Sequence, residues 1–276
     1  MNKILQNLFL IILMSSTLIG CGSNSNQKYE GFMMPESVAE GPDGSVYVSE
    51  IGERDIDKDG KISKINQDGT IETVASGLYD PKGIVFHNDK LYVTDRDVVI
   101  EVDLDGTWQV YAGTMLFPKV PVFFNDIDVS SNGTLYVSDT GDFKESGFIF
   151  AVNPSGEIDL LFEGNDFIKA PNGVLVLDDS KLLIVDWAGD LLEGDLKSQD
   201  VKKLGEGFEG GDGLAINNDT IYISSWTKGT IYSFKNGKTK VIAEGFEAAA
   251  DIALVGDNKV LVVPDMKAGT VTFIYI

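Results

Sequence analysis

The stretch from Gly210 to Trp226, GGDGLAINNDTIYISSW, contains one complete structural unit of this chain. A short apolar run, Gly213 to Ile216, leads into the polar turn Asn217-Asn218-Asp219. Thr220 to Ser225 then alternates β-branched or aromatic residues with polar ones. A period of two, with Asn and Asp between the runs, predicts an antiparallel hairpin and not a helix.

The same unit recurs along most of the chain. Six copies open with PESVA at Pro35, DPKGIVF at Asp80, FNDIDV at Phe124, PNGVLV at Pro171, GDGLAI at Gly211 and ADIALV at Ala250. They are spaced 39 to 47 residues apart, which is the period of propeller blades. Each opening is followed by a second strand: VYVSE to Glu50, LYVTD to Asp95, LYVSD to Asp139, LLIVD to Asp186, IYISS to Ser225 and VLVVPD to Asp265. Third runs such as FIFAVN and TIYSFK follow in most copies, and fourth runs such as IETVASG in several. Four short strands per repeat predict an all-β, six-bladed β-propeller with four-stranded antiparallel blades, one domain from residue 29 to 276. The last copy ends after three strands, so Tyr29 to Met34 is expected to supply the missing outer strand and close the ring. An open solenoid of β-units is the alternative.

Ahead of the repeats, residues 1–20 carry Lys3 as their one charged side chain and an apolar run from Leu8 to Leu13. This is the pattern of an export signal, too short and too interrupted for a good membrane span. Leu18-Ile19-Gly20-Cys21 resembles the end of a bacterial lipoprotein signal, which implies a lipid on Cys21, a membrane-anchored protein and a location in the cell envelope outside the cytoplasm. An ordinary secretory signal followed by a stray Cys is the alternative. Cys21 is the one cysteine, so an intrachain disulfide is excluded. Residues 21–28 are small and polar, and read as a flexible tether. With 43 acidic against 22 basic side chains and a net charge of −21, the surface disfavours nucleic acid and bare anionic lipid as partners.

Aligning the copies places one polar residue at the same point of each opening: Glu36, Lys82, Asn125, Asn172, Asp212 and Asp251. In a closed propeller these side chains converge on the mouth of the central channel. Glu36, Asn125, Asn172 and Asp212 form a hard-oxygen set suited to a divalent metal, Ca²⁺ in particular. The absence of His and Cys from the ring disfavours Zn²⁺. Asn and Asp before Gly are also ordinary turn residues, and that reading stays open beside the metal site.

These four openings also resemble the metal-coordinating positions of the senescence-marker-protein, gluconolactonase and luciferin-regenerating-enzyme family. The resemblance runs from about Pro35 to Ile276 and keeps the openings in register. It implies a six-bladed propeller that holds a divalent metal, often Ca²⁺, and hydrolyses lactones or, in some relatives, phosphotriesters. In such a hydrolase the metal acts as a Lewis acid on the lactone carbonyl, and Asp212 is the candidate to take a proton from the attacking water. Lys82, Phe124, Trp187 and Asp251 are the candidate contacts to a small-molecule substrate, with Trp226 as a further wall. The family's sugar-lactone enzymes tend to carry an Arg just before the blade-three Asn-Asp pair, where this chain has Phe123-Phe124; a sugar-acid substrate is correspondingly disfavoured. DPKGIVF in blade two resembles an NHL-type repeat, which implies, as the alternative function, a propeller that binds a ligand or protein without catalysis.

Two other features stand apart. Asp55-Ile56-Asp57-Lys58-Asp59-Gly60 matches the first half of a calcium-loop pattern, D-x-D-x-D-G, although Asn66 occupies the place of its final Glu. Asp55, Asp57 and Asp59 are therefore candidate ligands of a second Ca²⁺, or a solvated acidic turn. The acids ending most second strands, Glu50, Asp95, Asp139, Asp186 and Asp265, are expected to cap turns. His87 falls at the turn of the second hairpin, which disfavours a Ser-His-Asp triad.

Overall fold

The computed structural model of the chain describes residues 26–54, 56–163 and 167–276. The expected export signal, Cys21, most of the expected tether and Asp55 lie outside the described residues. Six four-stranded antiparallel sheets account for the strands among the described residues; five keep their strands in chain order, and the sixth takes its outer strand from the N-terminal end. The one helical element among them is a single 3-10 turn, Thr114–Leu116.

The innermost strands of blades one to six are Pro35–Glu40, Pro81–His87, Phe124–Val129, Pro171–Asp178, Gly211–Asn217 and Ala253–Val255. Next outward come strands buried on both faces, because another blade stacks on each side. Val46–Glu50 and Leu135–Asp139 are buried at every residue. That is why the polar Ser49, Thr94, Ser138 and Ser224 sit in the interior: in a stacked sheet the alternate face meets a neighbouring blade, not water.

The hairpin in Gly210–Trp226 forms as its residues dictate. Asn217 pairs with Thr220, leaving Asn218-Asp219 as a two-residue loop. Asn218 takes a φ of 53°, a left-handed conformation that Asn tolerates.

Closure is visible in the cores. One apolar cluster joins each pair of successive blades, for example Tyr47, Ile62 and Leu78 of blade one with Ile84, Leu91 and Val93 of blade two. Four more continue round the molecule. The sixth joins Val255, Val262 and Val271 of blade six to Val38, Val46 and Val48 of blade one. A solenoid has no such last interface, so the six-bladed ring is the architecture. The outer strand of blade six is Gln27–Glu30, which pairs antiparallel with Thr270–Tyr275. It starts earlier than expected, taking Gln27 and Lys28 from the tether. It ends at Glu30 because Gly31 adopts a φ of 94° and turns the chain toward blade one.

Candidate functional site

In blades one to five the inner strand slips register against its neighbour just after its first residue. The shifts fall between Pro35 and Val38, Pro81 and Ile84, Phe124 and Ile127, Pro171 and Val174, and Gly211 and Leu214. A bulge of this kind re-aims a side chain that a regular strand would turn into the sheet. The re-aimed residues are Glu36, Lys82, Asn125, Asn172 and Asp212, and all five line one cavity of about 460 Å³ at the channel mouth.

The glycines after two of them explain the motif. A Cβ on Gly173 would fall 2.3 Å from the carbonyl oxygen of Asp212, and one on Gly213 would fall 2.3 Å from Asp251 Oδ1. Asn172-Gly173 and Asp212-Gly213 are therefore not plain turn pairs. They are bulges at which neighbouring inner strands pass too closely for a side chain.

The acids ending the second strands hold the segments that lead into the bulges. Asp139 accepts bonds from the amides of Val122 at 2.7 Å and Phe123 at 2.9 Å, and Asp186 from those of Lys169 at 2.9 Å and Ala170 at 2.8 Å. Asp95 and Asp265 repeat the arrangement. Each anchors backbone N–H groups that would otherwise be buried without partners.

Within the cavity the oxygen donors are preset. Asn125 spends its Nδ2 on Thr140 Oγ1 at 3.0 Å, and Asn172 directs its Nδ2 to Asp212 Oδ2 at 3.4 Å, so each amide oxygen is the end left over. Glu36 Oε2 and Asp212 Oδ1 are buried with no partner. Two partnerless carboxylate oxygens from residues that line one cavity carry a large desolvation cost. Accordingly, the Glu36 carboxyl is held well above the ordinary range by burial first and by the charges of Asp212 and Asp251 next, with Lys82 opposing. Asp212 is raised by burial and then by Asp251, against the Asn172 hydrogen bond. A hard cation would relieve both, and two carboxylate and two amide oxygens fit Ca²⁺. Among the described residues no group of three or more His, Cys, Asp or Glu side chains is placed to hold a metal, so the candidate centre depends on its two asparagines.

Lys82 is buried in the same ring. Its Nζ donates to the Asp80 carbonyl at 3.3 Å and lies 4.5 Å from the centre of the Phe123 ring. Burial lowers its pKa, while the negative charge of Glu36 opposes the shift.

Two expected substrate contacts lie elsewhere. Phe124 is fully buried in the core between blades two and three, 4.8 Å from the Phe117 ring; its neighbour Phe123 lines the cavity instead. Phe124 is the paired residue opposite Asp139, ahead of the bulge, and so points into the sheet core. Asp251 is displaced by one position. In blade six Ala249 bridges Asp265 as Gly211 pairs with Ser225 in blade five, which puts Ala250 in the place of Asp212. Asp251 instead accepts a bond from Ser37 Oγ at 2.5 Å, and lines a second cavity at the other end of the channel with Asp126 and Asp128. The ring therefore has five polar members.

Trp187 and Trp226 both line the site, with ring centres 5.9 Å apart. Sequence reasoning missed Arg96, Ile51 and Met266, although a signal existed. Ile51, Arg96, Trp187, Trp226 and Met266 all directly follow the last residue of a second strand, and all line the cavity. Arg54 and Phe143, farther along the same loops, had no such repeat position.

Of the acidic loop, Asp57 is paired with Arg96 at 2.6 Å, and Asp59 accepts the Glu53 amide through Oδ2 at 2.7 Å while its Oδ1 has no partner. His87 is half-buried beside Gly133, away from the cavity.

No family model and no curated protein matches the sequence. Solved structures do match its fold. A gluconolactonase from Xanthomonas campestris superposes with a TM-score of 0.74 at 14% identity, covering 90% of this chain and 87% of that one. Regucalcin, a calcium-binding protein from Agrobacterium tumefaciens, gives 0.69 at 16% identity, covering 88% and 90%. The nidogen/laminin complex gives 0.66 at 20% identity, covering 81% and 86%. The chain therefore has the six-bladed propeller fold of the gluconolactonase-like proteins, a fold also present in the nidogen/laminin complex.

Proposed function

We propose that this chain is a metal-dependent hydrolase that opens a lactone or a related ester at the channel mouth. The observation that carries this reading is the meeting of four oxygen-bearing side chains from four blades, two of them with buried oxygens that nothing in the protein satisfies. The gluconolactonase and regucalcin folds support it. Glu36, Asn125, Asn172 and Asp212 would hold the ion, Ca²⁺ by its donor chemistry, and the ion would supply Lewis-acid polarisation of the carbonyl.

The remaining work falls to the chain. Thr140 and Asp212 orient the two amides, and Lys82 contributes a cation beside the carboxylates. Asp212 takes the proton of a water molecule as its oxygen adds to the carbonyl carbon. The C–O bond to the leaving oxygen then breaks, and the proton passes to that oxygen, giving a hydroxy acid. Burial and the Asp251 charge raise the Asp212 carboxyl, and the cation would favour the ionised form in which Asp212 can act as a base.

Asp212→Ala is expected to abolish tight metal binding and hydrolysis of lactones while leaving the β-sheet circular dichroism unchanged. Full activity or full metal occupancy in that variant would end the hydrolase reading and favour a propeller that only binds, with Lys82 among its contacts. Location follows from Cys21, whose lipid would hold the domain at the cell envelope. Cys21→Ser should move the protein from the membrane to the soluble fraction or leave it unprocessed, and unaltered fractionation would remove the anchor.

A further inference from the structure

Because the blades are arranged in chain order, the side chains round the cavity fall into sectors that can be read in sequence. Blades three to five contribute Phe123, Phe143, Trp187 and Trp226. Successive ring centres lie 4.8, 5.4 and 5.9 Å apart at interplanar angles of 67°, 78° and 49°, so the four rings form a continuous apolar wall of alternating faces and edges. The Trp226 indole N–H is taken by Met266 Sδ at 3.5 Å, and one face of its ring carries the Lys267 ammonium, 3.9 Å from the ring centre.

The facing sector, blades one and two, contributes the cations. Arg96 is already held by Asp57 and Asp80. Lys82 makes no hydrogen bond to a carboxylate: its Nζ donates to the Asp80 carbonyl and sits on the Phe123 ring face, within the field of Glu36, Asp80 and Asp95. Arg54 has no carboxylate partner among the described residues. A guanidinium stays charged at all physiological pH and pairs readily with carboxylate.

A polyhydroxylated sugar lactone would lay hydroxyls against the aromatic wall, where they lose water without gaining partners, a cost of about 1–3 kcal/mol each. A flat apolar body matches that wall through face and edge contacts with the rings, and a carboxylate matches the cations of blades one and two, of which Lys82 adjoins the wall at Phe123. A cavity of about 460 Å³ is of the size that encloses a small organic ligand.

We infer that the ligand of this cavity is an amphipathic carboxylate: a planar, apolar or aromatic lactone or ester whose ring packs against the wall of Phe123, Phe143, Trp187 and Trp226 and whose anionic group faces Arg54 and Lys82. This specifies the substrate class of the hydrolase proposed above and rests on that reading for the reaction, though not for the binding.

The test is calorimetric titration of the full chain with three non-hydrolysable probes: 2-naphthoate, 2-naphthamide and D-gluconate. Naphthoate should bind about tenfold more tightly than naphthamide, and naphthamide more tightly than gluconate. Arg54→Gln, on an exposed loop remote from the cores, should remove most of the naphthoate advantage and leave naphthamide unchanged. Trp187→Leu should weaken both aromatic probes. Gluconate binding as tightly as naphthoate would overturn the inference. So would naphthoate binding that ignores Arg54→Gln and disappears with chelator, since the carboxylate would then be bound by the metal. Heat of binding does not depend on turnover, so a protein that binds naphthoate but hydrolyses nothing refutes the hydrolase and keeps this inference. A lactonase that ignores naphthoate does the reverse.

Discussion

Asp251 is a residue whose role differs from its place in the repeat. It is nearly fully buried, and burial pushes its carboxyl up to about 7, with the charge of Asp128 adding and the Ser37 hydroxyl opposing. Asp128 behaves alike, pushed by burial up to about 6. Between about pH 4, where these groups ionise in the unfolded chain, and pH 7, the folded protein keeps a proton that the unfolded chain has lost. Stability from Asp251 is thus complete below about pH 4 and is lost as pH rises through about 7. Asp251→Asn removes the titration while keeping an acceptor for Ser37. The variant should gain on the wild type by a few kcal/mol between pH 4 and pH 8, since each tenfold difference in proton affinity between the folded and unfolded chain is worth about 1.4 kcal/mol. Denaturant unfolding across that range reads the difference, and parallel curves would show that Asp251 titrates normally. Sequence alignment alone could not place this residue. AAAD offers three alanines before the acid, and only the Ala249–Asp265 bridge shows which position enters the mouth.

At the scale of elements, strands were legible and side-chain direction was less so. Period-two alternation and Asn/Asp turns mark the hairpins, because pleat and turn chemistry are local. The bulge is not local in this sense, since it is forced where inner strands crowd at the channel. Its sequence trace is the small residue after the re-aimed one, as in Asn172-Gly173 and Asp212-Gly213, and the same pairs read equally well as turns. Phe123 and Phe124 show the consequence. Both are aromatic and adjacent, and a one-residue difference in register sends one to the cavity and the other to the core. The terminal acids of the second strands fit their expected capping role, yet the residue after them, which lines the cavity in every blade but the third, varies from Ile51 to Arg96 to Trp187. Repetition revealed the scaffold, and the ligand-facing positions are the ones that do not repeat.

For the whole molecule, closure of the ring is what brings Glu36 of blade one beside Asp212 of blade five. The site is therefore sensitive to a strand that contributes nothing to it chemically. Gln27–Glu30 covers the edge of Thr270–Tyr275, and the Tyr29 ring packs edge-on against Phe273 at 5.3 Å. Tyr29 also reaches Gly69 in a turn of blade one, so the strand ties blade six to its neighbour. A chain beginning at Gly31 would lose these contacts and expose an unpaired strand edge, a template for pairing with other chains. Loss of several kcal/mol is expected, and with a shift of roughly 2–4 °C per kcal/mol for a domain of this size, a fall in melting temperature on the order of 10 °C. Metal affinity should weaken with it, because the ligands from blades one and five would no longer be held at a fixed separation. A chain beginning at Asn26 keeps the strand and should match the full-length protein in both measurements. Calorimetry and metal titration of the two truncations, run in parallel, separate strand from tether: equal melting temperatures would mean that the apolar cluster between blades six and one closes the ring unaided.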